Sequence, residues 1–290
     1  MNKKGISLVG IKDIDTINRI RESYPDCYFE LSYLSTPSSL KEILPIVKDR
    51  VASIHLLAPV KDYFPNLASF SSYEWSEKAI LENAELAIEI GAENLVLHPG
   101  YLVDGLVSRD YQTRLTQLKN LNMEEYMLQK EESVAAPSYI KSEKYKKAFK
   151  IMVENALKLN KKINNLGLNL TLENLNPRVG YMNLLPEESI YLASLGLNLC
   201  IDVGHLFINS IIFGFDCLSQ TKLLLDTGRV KTMHLHSNPS HVGYYKDSHL
   251  SFDKYMPYYK EIISYASSKG ANLILESIEE PERNVGLLFN

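Results

Sequence analysis

The chain has 290 residues, of which 45% are hydrophobic and 23% charged, a balance that excludes wholesale disorder and allows a large core without disulfide staples. Lys and Arg number 31 against 35 Asp and Glu, so the net charge of −4 speaks against a protein coated with positive charge for nucleic acid. Cys27, Cys200 and Cys217 are too few and too scattered for a disulfide framework or a cysteine zinc site; with no leader-like N-terminus and no apolar run of about 18 residues, the expectation is a cytoplasmic protein without a membrane segment.

Short apolar runs alternate with longer helical patterns. The strand candidates in chain order are 5–9 (GISLV), 28–33 (YFELSY), 52–57 (ASIHLL), 94–98 (NLVLH), 168–173 (LNLTLE), 197–203 (LNLCIDV), 230–236 (VKTMHLH) and 272–276 (NLILE). Mostly apolar strands separated by helices read as parallel βα units. Helix 76–90 carries Ile80, Ala84, Ala87 and Ile88 at helical spacing and stops at Gly91. Helix 144–164 carries Ala148, Met152, Ala156 and Leu157 as its stripe, and helix 257–269 opens on Pro257 and ends at Gly270. Eight such repeats predict a single (β/α)8 TIM barrel over residues 1–290, with a short or missing last helix. One stretch, about 101–143, is far too long for a βα loop. Its LTQLKNLNMEEYMLQKEE is helical by composition, which predicts a helical insertion after the fourth strand, a lid or a decoration.

The chemistry-bearing residues fall at strand ends. His55 is near the end of the third strand, His98 ends the fourth, Glu173 the fifth, His236 the seventh and Glu276 the eighth, and Asp202 is near the end of the sixth. Parallel strands deliver all six to the C-terminal rim, where barrel active sites sit. His205, Asp247 and His249 follow in the adjacent loops. Glu173, Asp202, Asp247 and Glu276 crowded together would repel one another, and divalent cations resolve that repulsion. A His and carboxylate set without cysteine suits zinc, manganese or iron. His234, two residues before His236, points the same way one layer deeper and reads as a hydrogen-bonding support rather than a ligand. His241 reads as solvent-facing. Tyr101, Phe207 and Tyr244 are candidates for shaping a substrate pocket, and Arg178 for binding phosphate. Lys141, Lys144, Lys146, Lys147 and Lys150 read as a solvated helix face.

The fragments IHLL, LVLHPG, LTLENL, IDVGH, HLHSN, KDSH and ILES together resemble the xylose-isomerase-like barrel superfamily, and within it the endonuclease IV branch, over roughly residues 51–277. That resemblance implies two or three metals, zinc first: one on His55 and His98, with Glu173 bridging to a second that also takes Asp202, His236 and Glu276, and a third on His205, Asp247 and His249. The simpler isomerases and epimerases of the superfamily imply one metal, on Glu173, Asp202, His236 and Glu276. The resemblance stops at the DNA wedge: Leu56, Leu57, Ala58 and Pro59 follow His55 with no aromatic.

Two activities follow. The first is metal-assisted hydrolysis of a phosphate ester, including abasic-site DNA, with Glu173 orienting the nucleophile. The alternative is isomerisation or epimerisation of a sugar or sugar phosphate, with Glu173 and Glu276 moving protons on and off carbon. A third reading, a metal-stabilised binding barrel without catalysis, fits poorly with nine candidate ligands at an open rim.

Overall fold

The computed structural model describes residues 2–11 and 13–290. Eight parallel strands close a barrel: β1 (Lys4–Ser7), β2 (Tyr28–Leu31), β3 (Val51–His55), β4 (Asn94–Leu97), β5 (Asn169–Glu173), β6 (Asn198–Asp202), β7 (Val230–Leu235) and β8 (Asn272–Leu275). Each pairs with its neighbours in chain order, and β8 returns to β1. The fold is the TIM barrel that the strand spacing predicts. Most strands stop a residue or two short of the apolar runs, so His98, His236 and Glu276 lie just past β4, β7 and β8. Inter-strand bonding runs on to Glu276, whose N donates to Leu235 O at 3.1 Å, and the three side chains lie at the C-terminal mouth.

Helices surround the barrel. The one at Tyr73–Ile90 stops at Gly91, whose φ of 71° is the left-handed turn glycine allows without strain. Its buried stripe is Ala79, Ile80, Ala84 and Ala87, whereas Ile88 faces outward. In Glu143–Asn165, Ala148, Met152, Ala156, Leu159 and Ile163 pack inward and Leu157 is exposed. A step of 3.6 residues carries the stripe from 152 to 156 to 159, past 157. The lysines 141, 144, 146, 147 and 150 lie on the exposed side. The seventh-repeat helix, Tyr259–Ser268, begins two residues after Pro257, which therefore sits in the preceding turn. A short last helix is present, Pro281–Phe289, with Pro281 at its first turn.

The insertion is less helical than its composition suggests. A helix at Tyr111–Lys119, capped by Asp110, gives way to a 3-10 turn, a hairpin of Met127–Gln129 with Val134–Ala135, and a second 3-10 turn at Tyr139–Lys141. Asn122, at φ 51°, takes the left-handed conformation that ends the helical path. The hairpin is laid against the loop after β5: Ala135 N donates to Pro177 O at 2.8 Å and Val179 N to Ser133 O at 2.8 Å. The insertion thereby braces the wall of the barrel mouth. Among the described residues, no helix is long and apolar enough to cross a membrane.

Candidate metal centre and active site

The mouth is built from the strand ends inward. Glu30, His55, Glu173, Asp202, His234, His236 and Glu276 are all buried. A cavity of about 170 Å³ opens above them, lined by His55, His98, Glu173, His205, Asp247, His249 and Glu276, with Tyr33, Leu175, Asn176, Arg178 and Tyr181 as its upper wall.

Three donor sets can hold cations, each with one ligand atom per residue within 4.8 Å of the others: Glu173, Asp202, His234 and Glu276; His55, His98 and Glu173; and His205, His236, Asp247 and His249. A further overlapping set joins Glu30 to His55, His234 and Glu276. Every residue assigned to metal from the sequence thus lies in this one cluster. The partition differs from expectation at two positions. His234, not His236, is the imidazole among the three carboxylates, with Nδ1 3.3 Å from Glu173 Oε1, 3.5 Å from Glu276 Oε2 and 3.9 Å from Asp202 Oδ2. Register explains this: His234 is paired with Asp202 across the β6–β7 ladder, while His236 is two residues farther along, roughly 6–7 Å outward. His236 joins the loop residues instead, its ring 3.8 Å from that of His249 and its Nε2 2.9 Å from Asp202 Oδ1. Both imidazoles point inward, as alternation along the strand predicts, but the deeper one occupies the tetrad.

The side-chain atoms at the centre fit cations. Both nitrogens of His55, Glu173 Oε2, His236 Nδ1 and Asp247 Oδ1 are buried without a hydrogen-bond partner. Leaving such atoms unmade costs roughly 1–3 kcal/mol each. Divalent ions in the donor sets above would take the lone pairs among these atoms and offset the carboxylate charge.

Without a cation, the charges settle on protons. Burial disfavours a charged His55, but Glu173 and Glu276 outweigh it and raise its pKa to about 10. Burial likewise opposes charge on His205, while Asp202 and Asp247 raise it to about 9. His98 goes the other way, pushed down to about 4 by burial, with Glu173 opposing and the charges of His55 and His205 adding. Burial acts to raise Glu173, Asp247 and Glu276, yet the surrounding imidazoles hold all three well below the ordinary carboxylate range.

Local structure holds these groups in place. Asp202 caps the helix Val203–Phe213, accepting from His205 N at 2.7 Å. Gly204 admits the His236 ring, since a Cβ there would stand 2.1 Å from His236 Cε1. Asn174 accepts from Asp202 N at 2.8 Å, and Asn176 donates to Asp247 Oδ2 at 2.8 Å. Asn238 accepts from Ser248 N at 2.6 Å and from His249 N at 3.2 Å.

Of the residues assigned to substrate, Arg178 lines the cavity, paired with Glu132 of the insertion hairpin at 3.1 Å. Tyr101 is buried and its hydroxyl meets His98 Nδ1 at 3.0 Å, so it positions His98 rather than lining the cavity. Tyr244, expected at the substrate pocket, instead stacks on His241 in an exposed turn held by the short bridge between those two residues and does not line the cavity. Phe207 packs against the core and is not in the cavity wall. Sequence reasoning missed Glu30 and Tyr33. Glu30 is an acid within the run 28–33 rather than at its end, so the strand-end signal passes it by; Tyr33 carries none.

No family model matches the chain, and no curated protein matches it. Solved structures do. A D-tagatose 3-epimerase-like protein superposes with a TM-score of 0.64 at 17% identity, covering 99% of this chain and 94% of that one. A 3-keto-D-glucoside 4-epimerase from E. coli gives 0.63 at 11% identity, over 100% and 99% of the two chains. A Thermus thermophilus protein soaked with ZnCl2 gives 0.60 at 14%, over 99% and 96%. At these identities the likeness is one of fold alone, the TIM barrel.

Proposed function

We propose that the chain is a metal-dependent isomerase or epimerase acting on a sugar-type substrate. The observation that carries this reading is the placement of Glu173 and Glu276 on either side of His55 at the floor of a confined cavity. His55 Nε2 lies 3.2 Å from Glu173 Oε2, and its Nδ1 lies 3.3 Å from Glu276 Oε1. Two carboxylates joined through one imidazole can take a proton from carbon on one side and return it on the other. The barrel neighbours named as D-tagatose 3-epimerase-like and 3-keto-D-glucoside 4-epimerase support this reading over phosphate-ester hydrolysis, which the sequence motifs put first.

Glu173, Asp202, His234 and Glu276 would hold the ion. When bound, a divalent cation polarises neighbouring hydroxyl and carbonyl oxygens and makes the adjoining C–H more acidic. The chain's own residues do the rest. Glu173 Oε2, buried and facing His55 Nε2 at 3.2 Å, is placed to accept a proton. Glu276 is held below the usual carboxylate range and stays ionised at neutral pH. Tyr33, its ring 4.9 Å from that of His55, and Tyr181 wall the cavity and exclude water. Arg178 offers a charged donor to an anionic substituent.

One observation favours the hydrolytic reading: the two further donor sets, around His98 and around Asp247, exceed what one metal needs. DNA is not supported by the net charge of −4 or by the confined mouth. The deciding experiment incubates metal-loaded protein in D2O with free and phosphorylated ketoses, beside an abasic-site oligonucleotide. Deuterium incorporated at a sugar carbon is the expected result. Cleaved oligonucleotide with no exchange in any sugar overturns the proposal.

A further inference from the structure

Glu30 belongs to none of the three donor sets used above, only to the overlapping one with His55, His234 and Glu276, and has no acid–base role there. It lies on β2, paired in register with Ser53 of β3. Both residues and His234 are wholly buried. Ser53 Oγ donates to Glu30 Oε2 at 2.7 Å, and His234 Nε2 meets the same oxygen at 3.1 Å. The opposite nitrogen, Nδ1, is the one that faces Glu173, Asp202 and Glu276. A neutral imidazole has one N–H and one lone pair. With the N–H spent on Glu30, the lone pair points at three carboxylates, an arrangement of acceptors facing an acceptor that a second proton relieves in the metal-free chain and a cation would relieve in its place.

We propose that Glu30 is the positioning residue of the metal centre: it accepts the Nε2–H of His234, and so fixes the tautomer and ring orientation that present Nδ1 to the ion. The inference rests on the metal centre of the proposed function, but not on its substrate. Ser53 completes the device. Its hydroxyl fills a second acceptor site on Glu30 Oε2, leaving that oxygen committed between the serine and the imidazole. A metal-bound histidine commonly gives its other N–H to a carboxylate, and losing that partner typically costs 10–100-fold in metal affinity. Glu30 and Ser53 lie on the adjacent strands β2 and β3 and His234 on β7, which neighbours neither, so the closed fold is what assembles them.

The test measures zinc affinity by competition with a chromogenic chelator for the full chain, for E30A, E30Q and S53A, together with the 15N signature of His234 in the zinc-loaded protein. The expected result is about 10–100-fold weaker zinc binding in E30A. E30Q, which keeps an acceptor oxygen, should recover part of the loss, and S53A should show a smaller one. His234 should carry its hydrogen on Nε2. A merely structural Glu30 would lower the melting temperature of E30A and leave zinc affinity and tautomer unchanged. That result, or a hydrogen on Nδ1, overturns the proposal. If E30A does not fold, S53A and E30Q decide it: affinities equal to wild type in both overturn it. Zinc affinity that depends on Glu30 without any sugar exchange removes only the isomerase reading. Sugar exchange with Glu30-independent affinity removes only this one, and a wild-type chain that takes up no divalent metal removes both.

Discussion

The rings of His236 and His249 lie stacked, their centroids 3.8 Å apart and their planes 11° from parallel. Each is turned to a different acid, His236 Nε2 to Asp202 at 2.9 Å and His249 Nε2 to Asp247 at 3.3 Å. The pair therefore links the loop donors to the Asp202 side of the tetrad and, through His249 Nδ1 at 2.9 Å from Glu276 O, to the Glu276 backbone, while standing apart from Glu173.

That separation distinguishes the two chemistries. For a sugar isomerase, His249→Ala should lower bound metal by at most one equivalent and leave turnover within about tenfold, because both carboxylates remain and His249 bonds to Glu276 through its backbone oxygen, at 2.9 Å. Elemental analysis beside sugar turnover reads both. For a phosphodiesterase using all three donor sets, His98→Ala and His249→Ala would each abolish cleavage.

Glu173→Gln and Glu276→Gln should each reduce exchange of the substrate C–H by about 10²–10⁴-fold, the usual worth of a positioned acid or base. Asp202→Asn should instead act chiefly through lost metal, and excess metal in the assay should restore part of its activity. Turnover measured across a metal titration separates the two outcomes.

Gly204→Ala should destabilise the protein by about 1–3 kcal/mol, the usual cost of overpacking. The added Cβ meets the His236 ring, and that ring is itself confined by His249. Chemical denaturation of the metal-loaded variant measures the loss.

The metal-free protein should lose stability as pH rises from about 6.5 to 10. Burial is outweighed by the nearby carboxylates, so His55 titrates at about 10 and His205 at about 9 in the folded chain. A raised folded-state value means that folding takes up protons; its contribution is complete below the ordinary imidazole range and is lost through the folded-state values. Glu173, Asp247 and Glu276, held low, add a second loss on the acid side, as pH falls below the ordinary carboxylate range. Metal replaces the protons, so the loaded protein should be more stable, by about 4 kcal/mol at a thousandfold excess over Kd, with a flatter alkaline limb. Thermal melts with and without chelator across that range provide the check.

Strand spacing and strand-end chemistry were enough to read the barrel and nine of its converging residues, because in a parallel barrel a residue's place along its strand sets which pole it reaches. Spacing did not tell His234 from His236, since both point inward and only the pairing of β7 with β6 shows which one sits level with Asp202. Nor did it reveal Glu30, whose partner His234 lies 204 positions away, or the hairpin in the insertion, where helix-favouring composition yields to Asn122 and to bonding with residues 177–179. Local sequence decides what each segment forms and which way its side chains face. Which side chains then become neighbours is a matter of strand register and barrel closure, and those exist only in the folded chain.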